Sequence, residues 1–231
     1  MKKIILSLAL ITGAMSLSAC SGYGSASMET SKDSISYALG IDVGNSIRKN
    51  MDSTLNYKLI CKGIADVFEN SGDIQWTEAQ EQLRIYFTET RPKEVATENE
   101  KASLAFLAAA AKESGVEASE SGLLYNIENI GEGELAAVGD TLTVHYTLSD
   151  ANGNKLQSSL DNGTPMTYVN APGAMIKGFE EGVAMLGKGG KATLFLPCEI
   201  AYGAKGGGMI GANQALKFEV EVVDVKKPIE K

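Results

Sequence analysis

Apolar residues recur along this chain with two different periods, and the change falls near residue 120. Leu39, Val43 and Ile47 stand four apart, as do Ile60, Ile64 and Phe68, while Ala79, Leu83, Tyr86 and Phe87 follow an i, i+4, i+7, i+8 spacing. Each set lines one side of a 3.6-residue repeat, which predicts three short amphipathic helices, each needing a partner face. Thr77, with Gln80 three residues on, reads as a capping box that starts the third. Pro92 suits the first turn of a fourth helix, and the Ala-rich run from Glu94 to Ser114 has high helix propensity until Gly115 stops it. About twenty residues at a rise of 1.5 Å make a rod of roughly 30 Å.

From Ser121 onward the period is two. Leu124 to Ile127, Thr141 to Leu148, Ala192 to Leu196 and Leu216 to Val225 read as strands, separated by turn signals such as Asn152-Gly153 and Lys188-Gly189-Gly190. One short helix, Lys177 to Met185, is expected in this half, lying across the concave face of an antiparallel sheet. The fold class is therefore α+β, with an all-helical first part followed by a sheet wrapped around one helix.

The N-terminus changes the picture of compartment. Lys2 and Lys3 precede an apolar stretch, Ile4 to Met15, that is too short to span a bilayer and has the charge pattern of a secretory signal. Its end, Leu17-Ser18-Ala19-Cys20, resembles a bacterial lipobox, in which the cysteine is acylated and becomes the first residue after cleavage. A core strand that happens to end in Cys is the alternative, but nothing in the stretch alternates. Residues 1–19 are thus read as a lipoprotein signal peptide, Cys20 as the lipidated residue, and 20–31, rich in Ser, Gly and Ala, as a flexible tether. The membrane is then a partner through the lipid on Cys20.

Charge narrows the partners. With 21 basic and 29 acidic side chains the net charge is −8, and a leader over 1–19 takes away Lys2 and Lys3 but no acid. An acidic chain with no Lys/Arg cluster argues against nucleic acid and against adhesion to anionic lipid. Beyond Cys20 there remain Cys61 and Cys198, which an oxidising compartment could pair, although two buried free thiols are the favoured reading. No Cys/His spacing resembles a metal site, and no cofactor is implied.

Three motifs in order carry a resemblance: Gly139-Asp140-Thr141-Leu142-Thr143-Val144-His145-Tyr146-Thr147, then Lys177-Gly178-Phe179-Glu180-Glu181-Gly182-Val183, then Ala201-Tyr202-Gly203-Ala204. They resemble the FKBP-type peptidyl-prolyl cis/trans isomerases. The segment Ser36-Tyr37-Ala38-Leu39-Gly40-Ile41-Asp42-Val43-Gly44, together with the helix order, is similar to the helical domain that precedes the isomerase domain in the Mip-like and FkpA-like members. The resemblance implies a helical dimerisation domain over 32–92, a long connecting helix over 93–118 that holds the isomerase domains apart, and an isomerase domain over 119–231. It also implies a homodimer through residues 32–118 and, as substrates, proline-containing unfolded or exported polypeptides.

Carried over by position, Tyr146 and Tyr202 match the two pocket tyrosines, with the Tyr202 hydroxyl donating to a substrate carbonyl. Phe179 matches the floor tryptophan of many relatives. Met175 and Ile176 match a Val-Ile pair whose second backbone N–H holds the carbonyl before proline. Phe218 and Ile210 match the remaining wall, Met166 replaces a phenylalanine, and Met209 adds an adaptable side chain. His145, the only histidine, is expected on the opposite face of its strand. The departures gather at one rim: Phe-Asp-Ser-Ser of active relatives reads Leu156-Gln157-Ser158-Ser159, so the carboxylate that anchors the tyrosines is an amide at Gln157. The usual Pro-Pro of the late loop is Gly211-Ala212, after Gly206-Gly207-Gly208, which reads as a floppy loop that loses entropy on closing. Reduced isomerase activity is the expected function. The alternatives are a dimeric chaperone whose isomerase-like domain only binds peptide, and a structural lipoprotein adaptor.

Overall fold

The computed structural model describes residues 26–51 and 54–228, so Cys20 and the expected leader lie outside the described residues. The chain divides into two compact units, one running to Asp73 and one starting at Ile74.

In the first unit, α1 (Ser31–Asn50) starts on a capping box in which the Thr30 hydroxyl accepts the Asp33 N–H and the Asp33 carboxylate accepts the Thr30 N–H. Arg48 and Lys49 occupy its last turn, where cations complement the exposed carbonyls. Helix α2 (Tyr57–Glu69) is capped by the Asn56 side chain and ends on Asn70 in the left-handed region, φ 53°. Lys62 ties Asp66 to Asp73 at 2.6 and 2.7 Å. No described residue of either helix is buried, and a Cβ on Gly40 or Gly44 would meet nothing within 4 Å. Tyr37 and Leu39 stand exposed on α1, and Phe68 on α2 is 84% exposed.

The second unit opens with α3 (Trp76–Ile85), a π-helical turn (Tyr86–Thr90) and α4 (Arg91–Ala110), which run on without a break in helical backbone. Two expectations are corrected here. Gln75 holds the extended N-cap position with no side-chain cap, so Thr77 lies inside the first turn and the Thr77/Gln80 box does not form. The fourth helix is also a continuation of the third. Pro92 has no N–H to offer the ladder, and the turn before it widens so that the Arg91 N–H reaches back five residues to the Tyr86 carbonyl. The resulting rod is about 50 Å long at 1.5 Å per residue. It ends at Ala110, with Gly115 at φ 82° in the turn that follows.

Beyond it lie β1 (Glu117–Ala118), β2 (Leu124–Asn129), β3 (Thr141–Asp150), β4 (Lys155–Ser158), β5 (Met166–Val169), β6 (Lys191–Leu196) and β7 (Leu216–Lys226). They form one antiparallel sheet in the order β1-β2-β6-β7-β3-β4, with β5 also paired to β3. Alternation along β3 sends Leu142, Val144 and Leu148 into the core, as a half-buried strand requires. Helix α5 (Lys177–Val183) lies on this face with Phe179 and Val183 fully covered. Its glycines explain how close it lies: a Cβ on Gly178 would come within 2.7 Å of Leu196 Cγ, and one on Gly182 within 2.6 Å of Leu194 Cδ2. The last turns of α4 pack on the sheet as well, with Phe106 against Phe195 at 5.7 Å and Ala110 buried.

Candidate functional site

The concave face of the sheet, α5 and the two loops beside it enclose a cavity of about 390 Å³. Strand β3 supplies Tyr146 and Leu148, two residues apart and therefore on the same face; β4 supplies Gln157, β5 Met166 and β7 Phe218. The segment before α5 adds Gly173, Ala174, Met175 and Ile176, α5 adds Phe179, and Tyr202 closes the rim. Phe179 is fully buried beneath the others. Its ring meets Phe218 edge to face at 5.2 Å and Tyr146 at 6.5 Å, so the floor is a rigid aromatic cluster.

Two features give this apolar cup polarity. Ile176 is the N-cap of α5, and its carbonyl accepts from Phe179 and Glu180 while its own N–H meets no acceptor among the described residues. The Glu180 carboxylate accepts the preceding N–H, that of Met175, at 3.0 Å, which ties the segment to α5 beside the cavity that Ile176 lines. Tyr202, 40% exposed, brings a hydroxyl to the opposite rim. Burial, and then proximity to Tyr202, push the Tyr146 hydroxyl above its ordinary pKa, so this phenol is neutral near neutral pH.

Eight of the sequence-derived positions thus meet in one cavity: Tyr146, Gln157, Met166, Met175, Ile176, Phe179, Tyr202 and Phe218. Three do not line it. Leu156 and Ile210 pack into the hydrophobic core, and Met209 is 65% exposed on its loop. Leu148, Gly173 and Ala174 line it without having been anticipated; the period-two step from Tyr146 was signal enough for Leu148. His145 points to the other face, where Nδ1 lies 3.0 Å from Ser159 Oγ. The Gln157 amide makes no hydrogen bond to Tyr146 or to any other described residue, so the tyrosine is not anchored from that side.

The late loop, expected to be floppy, carries hydrogen bonds of its own. Gly207 and Ile210 exchange backbone hydrogen bonds at 2.9 and 3.0 Å, and the Gly206 backbone packs directly on Ile210 and Gly211 where a Cβ would not fit. Cys61 and Cys198 are half-buried, not fully buried, and neither is in a disulfide among the described residues; burial and then Glu199 push the Cys198 thiol up.

Residues 132–223 match the family model described as FKBP-type peptidyl-prolyl cis-trans isomerase, and residues 32–127 match the model of the domain amino-terminal to it. An FKBP-type peptidyl-prolyl cis-trans isomerase FkpA of Aeromonas hydrophila is 35% identical over 204 residues, covering 83% of this chain and 75% of the relative. The outer membrane protein MIP of Legionella longbeachae is 31% identical, over 97% of this chain and 99% of the relative. Among solved structures, FkpA from Escherichia coli aligns with a TM-score of 0.67 at 27% identity, over 87% of this chain and 99% of that one.

Proposed function

The chain belongs to the FKBP-type peptidyl-prolyl cis-trans isomerases, and we propose that its aromatic-floored cavity catalyses rotation about the bond preceding proline in exported polypeptides. That rotation has a barrier near 20 kcal/mol, because the amide C–N bond has partial double-bond character. Water stabilises the planar, charge-separated amide. In the cup of Phe179, Phe218, Tyr146 and Met166 the proline ring is held away from water, which weakens that preference and favours the twisted transition state. The Ile176 N–H donates to the carbonyl before proline, and the Tyr202 hydroxyl donates to a second carbonyl in its rotated orientation. No nucleophile, proton transfer, metal or cofactor enters.

The observation that carries this reading is the Ile176 N–H, without an acceptor among the described residues, in the lining of a cavity floored by Phe179. A protease-coupled assay on a Leu-Pro peptide, with a chain starting at residue 26 so that the Thr30 cap is kept, tests it. Isomerisation above background that falls about fivefold or more in Tyr202→Phe, as loss of a transition-state hydrogen bond requires, is the expected result. A rate equal to background would reject it.

A folding-helper role beyond catalysis is favoured by the apolar side chains left uncovered on the helices: Tyr37, Leu39 and Phe68, with Trp76, Leu83 and Phe87 on the long rod. The reading is that residues 32–118 join two chains into a homodimer and that the same apolar surface receives unfolded segments. Sedimentation of the chain at tens of micromolar, with Tyr37→Glu as comparison, decides it, since a monomeric wild type excludes the dimer. Lipidation at Cys20 and an outer-membrane site facing the periplasm complete the reading, supported by the lipobox and by the name of the Legionella relative. Cys20→Ala is expected to leave the protein unprocessed or soluble on fractionation.

A further inference from the structure

We propose that Asn99 and Ser103 of α4 are positioning residues for the cavity, acting on Tyr202 through the glycine-rich loop. Neither lines the cavity, but both hold the loop that borders it. The Asn99 side-chain amide donates to the Ala212 carbonyl at 2.9 Å. The Ser103 hydroxyl donates to the Asn213 carbonyl at 2.9 Å and accepts the Ala215 N–H at 2.7 Å, and Ser103 is only 6% exposed. The Asn213 side chain reaches back to the Ala96 carbonyl, so the tie is made from both directions.

The contacts continue to the rim. Asn213 is held in the left-handed region, φ 56°, and its N–H donates to the carbonyl of Gly203, the residue after Tyr202. At the other end of the loop Gly207 stands directly behind the Tyr202 ring, where a Cβ on it would lie 3.2 Å from Tyr202 Cδ1. The backbone that carries Tyr202 and the backbone that backs its ring are thus both fastened to α4. The fastening also accounts for Gly211: a Cβ there would come within 2.6 Å of Asn99 Nδ2. Three successive glycines would otherwise leave the loop to be ordered by substrate at an entropic cost, and the helix orders it beforehand.

The inference rests on the isomerase reading above, and the test separates the two. In the chain from residue 26, Ser103→Ala, Asn99→Ala, Ser103→Thr and Phe106→Leu are compared for kcat, KM and amide hydrogen exchange. Phe106 packs on Phe195 of β6 and makes none of the hydrogen bonds to the loop, so its truncation loosens the helix packing without removing the tie. Ser103→Ala and Asn99→Ala are expected to lower kcat/KM about fivefold, since small displacements of a positioned group are costly, with faster exchange at Asn213 and Ala215. Ser103→Thr, which restores the hydroxyl, should return both readouts toward wild type, and Phe106→Leu should leave kcat/KM unchanged while lowering the melting temperature. Faster exchange with wild-type kcat/KM, or an equal loss of kcat/KM in Phe106→Leu, would overturn the inference. If wild type does not isomerise, the isomerase reading fails, and the positioning role is decided by affinity of the same variants for the Leu-Pro peptide.

Discussion

Gly211 and Asn99 touch so closely that no side chain fits between them, a Cβ at 211 falling 2.6 Å from Asn99 Nδ2. The late loop carries glycine here because a helix far back in the chain occupies the space. Gly211→Ala should therefore lower stability by about 1–3 kcal/mol through overpacking, and adding Asn99→Ala should recover part of that loss. Denaturant midpoints of the two single variants and the double variant check it: strict additivity would mean that the contact does not limit position 211.

Gln157 pairs with Leu148 across the sheet and faces the same cavity as Tyr146. Gln157→Asp supplies an ionised acceptor for the Tyr146 hydroxyl, and charged acceptors make hydrogen bonds roughly twice as strong as neutral ones. We expect kcat/KM on a Leu-Pro peptide to rise about tenfold, equivalent to about 1.4 kcal/mol of transition-state stabilisation. An unchanged rate would show that the amide does not limit the site.

Tyr168 keeps its hydroxyl shut off from solvent with no hydrogen-bond partner among the described residues, and burial, then Glu180, push its pKa up to about 12. Removing an unsatisfied buried hydroxyl removes a desolvation penalty, so Tyr168→Phe should stabilise the protein by about 1 kcal/mol. The pH dependence follows from the sign of the shift. The tyrosine contributes most below its unfolded value of 10.0, and the contribution is lost as pH rises toward 12. Thermal melts at neutral and alkaline pH should show a higher melting temperature for Tyr168→Phe and a shallower alkaline decline.

Asp140, with its side chain 2% exposed, accepts the Ala137 N–H at 2.9 Å and pairs with Lys227 at 3.0 Å, an arrangement that pins the turn before β3. The Ala137 hydrogen bond, then Lys227, hold its carboxyl below the ordinary 3.8. A depressed pKa contributes stability above the unfolded value that is lost as pH falls through the folded one. Asp140→Asn should lower stability at neutral pH and flatten the decline below pH 3.8, so that the two urea curves converge in acid. Parallel pH profiles would remove Asp140 as the source.

Part of the cavity was legible from short periods, and the rest was carried over by position from the family resemblance. Period two along β3 commits Tyr146 and Leu148 to one face and His145 to the other, while Gly178 and Gly182, four apart, commit α5 to lie flat on the sheet with Phe179 inward. What was misread depended on partners distant in sequence. Met209 and Ile210 were placed on the wall by position alone, but the loop's path is set by α4, and the Asn99 to Ala212 tie spans 113 residues. The Thr77 capping box, by contrast, lost to a near neighbour: the N-cap is Gln75, two residues earlier.

By itself, then, the sequence determined the helices, the strands β2, β3, β6 and β7 and which face of each is apolar, because those properties follow from backbone periodicity within a few residues, while most of the cavity's side chains were named by the family resemblance. Tertiary structure alone decided that three glycines form a loop held against α4, and that the Tyr168 hydroxyl has no hydrogen-bond partner among the described residues. The reason is physical: each depends on which groups, remote along the chain, are brought close enough to exclude water, fill space or complete a hydrogen bond, and no local repeat encodes that distance.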